Sequence, residues 1–319
     1  MLLGTSYALA AGLMWGLVFI GPLLLPDYPA ALLSFGRYVA FGLIALPLAW
    51  ADRRALAQLT RADWWEAARL GLVGNIVYYL FLAAAIQNAG GPLPTMIIGT
   101  LPVVIAVTSR LREGHGAALG WSQMAPSLLL IGAGIACVNQ VELEALRRAQ
   151  DADFGRYALG AVLAVGAVAC WTWYPIRNAD WLRAHPGRSP RAWATAQGLA
   201  TLPMALAGYL GWGLWAAFMQ PDFPQPFGPR PGPFLLLMFA IGLFASWLGT
   251  LCWNAASQRL PTALVGQLIV FETLAALAYA LVLRGNAPAP ATLLGALLLV
   301  AGVVWALRSP RAAAPAGTA

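Results

Sequence analysis

The chain contains no lysine, only two histidines and three cysteines, and only 10% of its 319 residues are charged. A soluble domain carries roughly 25% charged residues, so this scarcity beside 60% hydrophobic residues excludes a water-soluble fold. Cys137, Cys170 and Cys252 each lie in an apolar run with no CxxC spacing and no nearby histidine, which excludes a zinc or redox motif and reads as packing. His115 and His185 fall in loops, the NAD triplet at 178–180 has no second acidic motif, and there is no P-loop. A membrane-embedded transferase, the enzymatic alternative, therefore finds little support; no enzyme activity, cofactor or metal is expected. The net charge of +7 would suit nucleic acid, but the arginines sit between hydrophobic runs. Membrane topology explains them, and no nucleic-acid partner is expected.

What the sequence does have is long apolar runs, with a mean hydropathy of +0.70. A membrane helix needs about 20 mostly apolar residues. Taking charges as boundaries, spans are predicted near 4–25, 30–51, 66–86, 93–109, 117–140, 157–176, 192–218, 233–256, 262–283 and 286–307. QNAGGPLP at 87–94 supplies the Gly and Pro break that divides the third span from the fourth. The first apolar stretch begins at Met1 without a basic leader, and its span reads as a helix rather than a cleaved signal. The stretch at 309–319 reads as a disordered tail.

Arg53, Arg54, Arg61, Arg69, Arg110, Arg112, Arg177, Arg183, Arg188, Arg191, Arg259, Arg308 and Arg311 fall on one side of these spans. Arg147, Arg148, Arg156, Arg230 and Arg284 fall on the other. The positive-inside rule places the richer side, and with it both termini, in the cytoplasm.

The chain also repeats itself. Pro94, Thr95, Gly99, Leu101 and Val103 recur as Pro261, Thr262, Gly266, Leu268 and Val270, at an offset of 167. Ala84, Ala85 and Gln87 recur as Ala255, Ala256 and Gln258, at an offset of 171. Each half would hold five helices: residues 1–146 the first repeat, 147–308 the second. Because five is odd, the second half enters the membrane from the opposite face. Inverted repeats of this kind place a substrate site at the midplane between the halves.

SFGRYVAFGLIAL at 34–46, YYLFLAAAIQNAGGPLPTMI from Tyr78 onward and WTWYPIRNAD at 171–180 resemble the second-helix, third-to-fourth-helix and sixth-helix patterns of the drug/metabolite transporter superfamily with two EamA repeats. The aromatic amino acid exporter branch is the nearest resemblance. AYALVLRGN departs from it by lacking the Gly-Glu ending of the ninth helix, and Leu101 stands where an aromatic is common. The resemblance implies an all-α, basket-like ten-helix exporter in the bacterial inner membrane, moving amino acids, including aromatic ones, by alternating access. Other metabolites or cationic drugs are the alternative cargo. The expected partners are a small-molecule substrate and membrane lipid, with the chain a monomer or weak dimer.

Candidate substrate-binding residues follow from polar groups where lipid would leave them unsatisfied. Asn75 and Tyr79, with Tyr78 beside them, map onto Ser246 and Thr250 in the second half, and that face continues through Trp253 to Ser257, bordered by Asn254. Thr100 and Gln267 are also repeat-equivalent and could bond the two ends of a zwitterion. Glu272 is the only charge between Leu260 and Leu283, where an ionisable group costs at least ~2.5 kcal/mol; it either bonds a neighbour or faces the cavity to bind a substrate amine or a coupling proton.

Arg37, about seven residues into its helix by the span count, can snorkel to the outer interface; its alternative is a salt bridge, Glu272 included, or a substrate carboxylate. Trp15, Trp171, Trp173, Trp247 and Trp253 are deep enough to line an aromatic pocket, with packing as the alternative. Trp50, Trp64, Trp65, Trp193, Trp212, Trp215 and Trp305 read as headgroup anchors. Pro22, Pro47, Pro102, Pro126 and Pro203 are expected to bend their helices. Gly12 and Gly16 form a GxxxG packing face.

Overall fold

The computed structural model describes residues 2–89, 92–117, 121–148, 154–285 and 289–308. The expected tail at 309–319 and the Gly90–Gly91 centre of the break lie outside them, as does the side chain of His115. The described elements are twelve helices: α1 (Leu2–Leu24), α2 (Ala30–Leu56), α3 (Arg61–Ala89), α4 (Pro92–Ile98), α5 (Leu101–Ala117), α6 (Trp121–Arg148), α7 (Phe154–Ala184), α8 (Pro190–Met219), α9 (Pro231–Ser257), α10 (Thr262–Leu268), α11 (Val270–Arg284) and α12 (Pro290–Arg308). Seven stretches are long and apolar enough to cross a membrane: α1, α2, α3, α7, α8, α9 and the run Leu264–Leu283 across α10 and α11. Shorter apolar stretches lie at Met124–Cys137 in α6 and Pro290–Trp305 in α12.

Several helices outrun the predicted spans because charge ends a hydropathy window without ending a helix. Thr60 starts α3 five residues before the expected boundary: its hydroxyl accepts from the Asp63 amide at 3.2 Å while the Asp63 carboxylate accepts from the Thr60 amide at 2.8 Å. Ser189 caps α8, with Pro190 at its first position. Pro47, Pro126, Pro175 and Pro203 stand inside helices. Pro102 stands instead in the first turn of α5, where its missing amide hydrogen is not needed, directly after the break that separates α5 from α4.

Three helices carry irregular turns. A 3₁₀ turn occupies Gly16–Phe19 of α1, and π turns occupy Gly71–Val77 of α3 and Gly242–Leu248 of α9. The two π turns begin 171 residues apart.

Packing joins elements distant in sequence. α2 lies along α8, α5 along α10, α6 along α12 and α3 along α7, while α1 contacts both α9 and α11. The last contact depends on Gly12 and Gly16. A Cβ on Gly12 would stand 3.0 Å from the Glu272 amide nitrogen, and one on Gly16 would stand 2.8 Å from that of Ala276. Absent side chains let the α11 backbone rest directly on α1, which seats Glu272 against the protein centre.

Trp50, Trp65, Trp215 and Trp305 are exposed. Trp193 is not an interfacial anchor: it is 1% exposed, stacks on Trp181 with centroids 3.5 Å apart, and donates to Asn178 Oδ1 at 2.9 Å. Its indole hydrogen finds a protein acceptor, so it gains nothing from the headgroup layer.

Candidate functional site

Near the midpoints of α1, α3, α7 and α9 the helices surround a small enclosed cavity. It is lined by Trp15 and Val18 of α1, Arg37 and Tyr38 of α2, Asn75 and Tyr78 of α3, Trp171 of α7, Ala245, Ser246 and Thr250 of α9, and Glu272 of α11. Seven residues singled out from the sequence, Trp15, Asn75, Tyr78, Trp171, Ser246, Thr250 and Glu272, thus meet around one space. In this conformation the space is about 10 Å³, room for about one water, whereas ligand pockets measure roughly 300–1,000 Å³.

Arg37 does not snorkel. It is 4% exposed, its Nε donates to Ser246 Oγ at 3.0 Å, and its guanidinium lies 4.8 Å from the ring centre of Tyr38 and 4.6 Å from that of Tyr79. Two aromatic faces and a hydroxyl replace part of the hydration that would otherwise draw the side chain outward. Glu272 is 3% exposed, and Arg37 is the charged group that acts on it electrostatically. Among the described residues no salt bridge joins the pair and the Glu272 carboxylate accepts no hydrogen bond. Both therefore face the cavity with bonding capacity in reserve.

The reserve is larger than that pair. Arg37 Nη1, Tyr78 OH and Trp171 Nε1 are buried donors without a partner, all on residues lining the same cavity. Orphaned buried donors are rare, and a cluster of them marks a place where something else completes the bonding. The walls are aromatic: Trp171 stacks on Tyr78 at 4.8 Å and Tyr174 at 4.9 Å, and meets Trp15 edge-on at 5.0 Å.

The π turns supply acceptors as well as positions. Such turns are frequent at functional sites. Here Ala245 O in α9 accepts from Trp15 Nε1 at 2.8 Å, and Ile76 O in α3 accepts from Ser34 Oγ at 3.2 Å. The sequence carries one trace of them: GLVGN at 71–75 and GLFAS at 242–246 share Gly-Leu, with an amide or hydroxyl at the fifth position.

Five candidates lie elsewhere. Tyr79 sits behind Arg37, its hydroxyl on Val18 O at 3.1 Å. Trp253 backs Trp15 at 5.0 Å, and its Nε1 is unpartnered. Asn254 accepts from Asn178 Nδ2 at 2.8 Å, in a network with Trp193 and Gln197. Thr100 is exposed at the α4–α5 break, where its hydroxyl donates to Ile97 O at 2.7 Å. Gln267 is 2% exposed and its Nε2 has no partner, but it does not line the cavity.

Hydrogen bonds tie helices together at both ends of the bundle. At the arginine-rich end Trp181 Nε1 donates to Asp63 at 2.9 Å, Arg191 Nε to Asp52 at 2.8 Å, and Arg188 to Gln58 Oε1 at 2.8 Å. At the other end Arg230 Nε donates to Asp27 at 3.0 Å and its amide to Tyr28 OH at 2.7 Å, while Gln87 Nε2 donates to Tyr28 O at 2.6 Å. The Arg230 hydrogen bond holds the Asp27 carboxyl below the usual carboxylate range, outweighing the upward push of burial.

Apolar helices of membrane-crossing length, packed around an occluded polar site, define a multi-pass membrane protein with the form of a transporter. Residues 2–140 match the EamA-like transporter family. "Inner membrane protein YtfF" of Escherichia coli (strain K12) is 54% identical over 313 residues, covering 97% of this chain and 96% of that protein. The chain belongs to the EamA-like transporter family and is a multi-pass inner-membrane protein. A crystal structure of a protein 18% identical to it has the same fold, with a TM-score of 0.70 over 97% of this chain and 99% of the other.

Proposed function

We propose that this transporter exports small zwitterionic solutes, amino acids including aromatic ones, by alternating access through the central cavity. The observation carrying the reading is that an unpaired cation and an unpaired anion face one enclosed space, Arg37 from the first half of the chain and Glu272 from the second. A substrate α-carboxylate would accept from Arg37 Nη1, with Tyr78 OH and Trp171 Nε1 as further donors. Its ammonium would face Glu272, and its side chain would rest against the indoles. An excess charge of either sign in the substrate would leave one protein charge buried without a partner, at a cost of several kcal/mol. That disfavours the cationic-drug alternative, because Arg37 would repel such a cargo.

Alternating access follows from the size of the space. A cavity of about 10 Å³ cannot hold an amino acid, so loading requires the helices to part at one end while the other stays bonded. Inverted five-helix repeats at 1–146 and 147–308 would provide that motion. Three things support them. α4 with α5 and α10 with α11 each count as one interrupted span, which brings the total to ten. α2–α8 and α6–α12 then pair each helix with its own repeat equivalent, and α5–α10 joins the two interrupted spans. The two π turns recur at the offset of the sequence repeat.

The test is flux of radiolabelled phenylalanine and tryptophan into proteoliposomes, against a panel of polar amino acids and of amines, with and without a pH gradient. Saturable phenylalanine flux that neither phenylethylamine nor phenylpropanoate competes for as well as phenylalanine itself is expected. Transport of amines alone, or of no amino acid above empty liposomes, would overturn the zwitterion reading.

A further inference from the structure

We propose that a groove between α3, α5 and α7, separate from the central cavity, binds an anionic phospholipid: its phosphate at a cluster of arginines, one acyl chain along an apolar floor. The groove encloses about 640 Å³ and is open on one side. α7 divides the two sites, with Trp171 facing the centre and the next residues, Thr172 and Trp173, lining the groove.

The mouth carries positive charge. Arg69, Arg112 and Arg177 line it with side chains 56%, 50% and 45% exposed. Arg183 stands beside Arg112, both bonded to Asp180. Glu66 and Asp180 lie behind them, 9% and 30% exposed. Among the described residues, the three guanidiniums that line the mouth outnumber the carboxylates of Glu66 and Asp180 that bond them. The Glu66 contacts use one N–H of Arg69 and two of Arg177, and the Asp180 contact uses one of Arg112. Each guanidinium has five, so donors remain to point outward.

Two buried hydroxyls add a feature that plain contact with lipid tails does not explain. Thr172 is 9% exposed, lines the groove, and its Oγ1 has no partner. Ser109, 1% exposed, is likewise unpartnered in a recess of about 150 Å³ that shares Arg112 and Ile176 with the groove.

The length fits a lipid rather than a free anion. Val165 and Val168 line the far end, and twelve residues of helix separate Val165 from Arg177, about 18 Å at 1.5 Å per residue. One leaflet contributes about 15 Å of hydrocarbon. The groove is one leaflet deep, and its mouth lies at the arginine-rich end, which the positive-inside rule assigns to the cytoplasmic leaflet.

The test uses the full chain purified in neutral detergent and titrated separately with phosphatidylglycerol, phosphatidylcholine and inorganic phosphate. Retained lipid is read by native mass spectrometry and Tm by thermal unfolding. Phosphatidylglycerol should be retained and raise Tm, with the other two far weaker. Arg69→Gln, which leaves Glu66 paired with Arg177, should weaken phosphatidylglycerol binding about fivefold, and Thr172→Val should weaken it as well. Ala169→Phe, which fills the groove without altering a charge, should abolish retention and covers the case in which a polar variant misfolds. Equal retention of phosphatidylcholine overturns headgroup recognition. An equal Tm rise with inorganic phosphate makes it an ion site instead of a lipid site, and wild-type retention by a folded Ala169→Phe protein removes the groove from consideration.

Discussion

Arg37→Gln and Glu272→Gln each neutralise one end of the proposed zwitterion site, and substrate analogues separate a binding role from a structural one. Arg37 Nη1 is buried and unpartnered, and Glu272 accepts no hydrogen bond among the described residues. A substrate group reaching either one makes a charge-assisted bond in a desolvated space. Such bonds are worth about 1.5–3 kcal/mol, or roughly 10- to 150-fold in affinity.

Phenylalanine binding should fall by that factor in either variant. 3-Phenylpropanoate, which lacks the amine, should be indifferent to Glu272→Gln and sensitive to Arg37→Gln; 2-phenylethylamine should show the reverse. Binding is measured by scintillation proximity on purified protein with labelled phenylalanine and the two analogues as competitors. An equal loss for all three ligands in each variant would refute the assignment, because it would mean that the charges hold the helices together and touch no substrate.

Trp15→Phe removes the donor to Ala245 O and part of the ring surface packed on Trp171 and Trp253; stability should drop by at least about 1 kcal/mol, read from thermal unfolding. In Gly74→Ala the new methyl would stand 2.7 Å from the Tyr174 Cβ; overpacking of this kind costs about 1–3 kcal/mol, and an unchanged Tm would mean that α3 and α7 can separate freely. Because the Asp27 carboxyl is held below its ordinary value by Arg230, its contribution to stability is complete above the ordinary carboxylate range of about 4 and is lost as pH falls through the depressed value. Wild-type Tm should therefore decline more steeply than that of Asp27→Asn below about pH 4; parallel curves would remove this ion pair from the acid response.

Hydropathy and charge made the helices legible because burial depth in a bilayer is a property of composition. They could not give azimuth, the direction in which each polar side chain points around its helix. Asn254 borders the polar stripe in sequence, yet it bonds Asn178 from α7. The sequence offered Thr100 and Gln267 as a matched pair, but the break between α4 and α5 leaves the Thr100 hydroxyl on a neighbouring carbonyl and exposed. Arg37 has the length to reach the interface and does not, because Ser246, 209 positions away, and the rings of Tyr38 and Tyr79 hold it inward.

By itself, then, the sequence determined a membrane protein of apolar helices and which residue types are costly at depth. Those follow from local composition and spacing. The tertiary structure alone decided that Arg37 and Glu272 share a cavity without pairing, that carbonyls of the π turns accept side-chain bonds from α1 and α2, and that Gly12 and Gly16 let α11 approach α1. Each of these depends on contacts between helices far apart in the chain, where packing and unsatisfied hydrogen bonds set orientation and local periodicity carries no information.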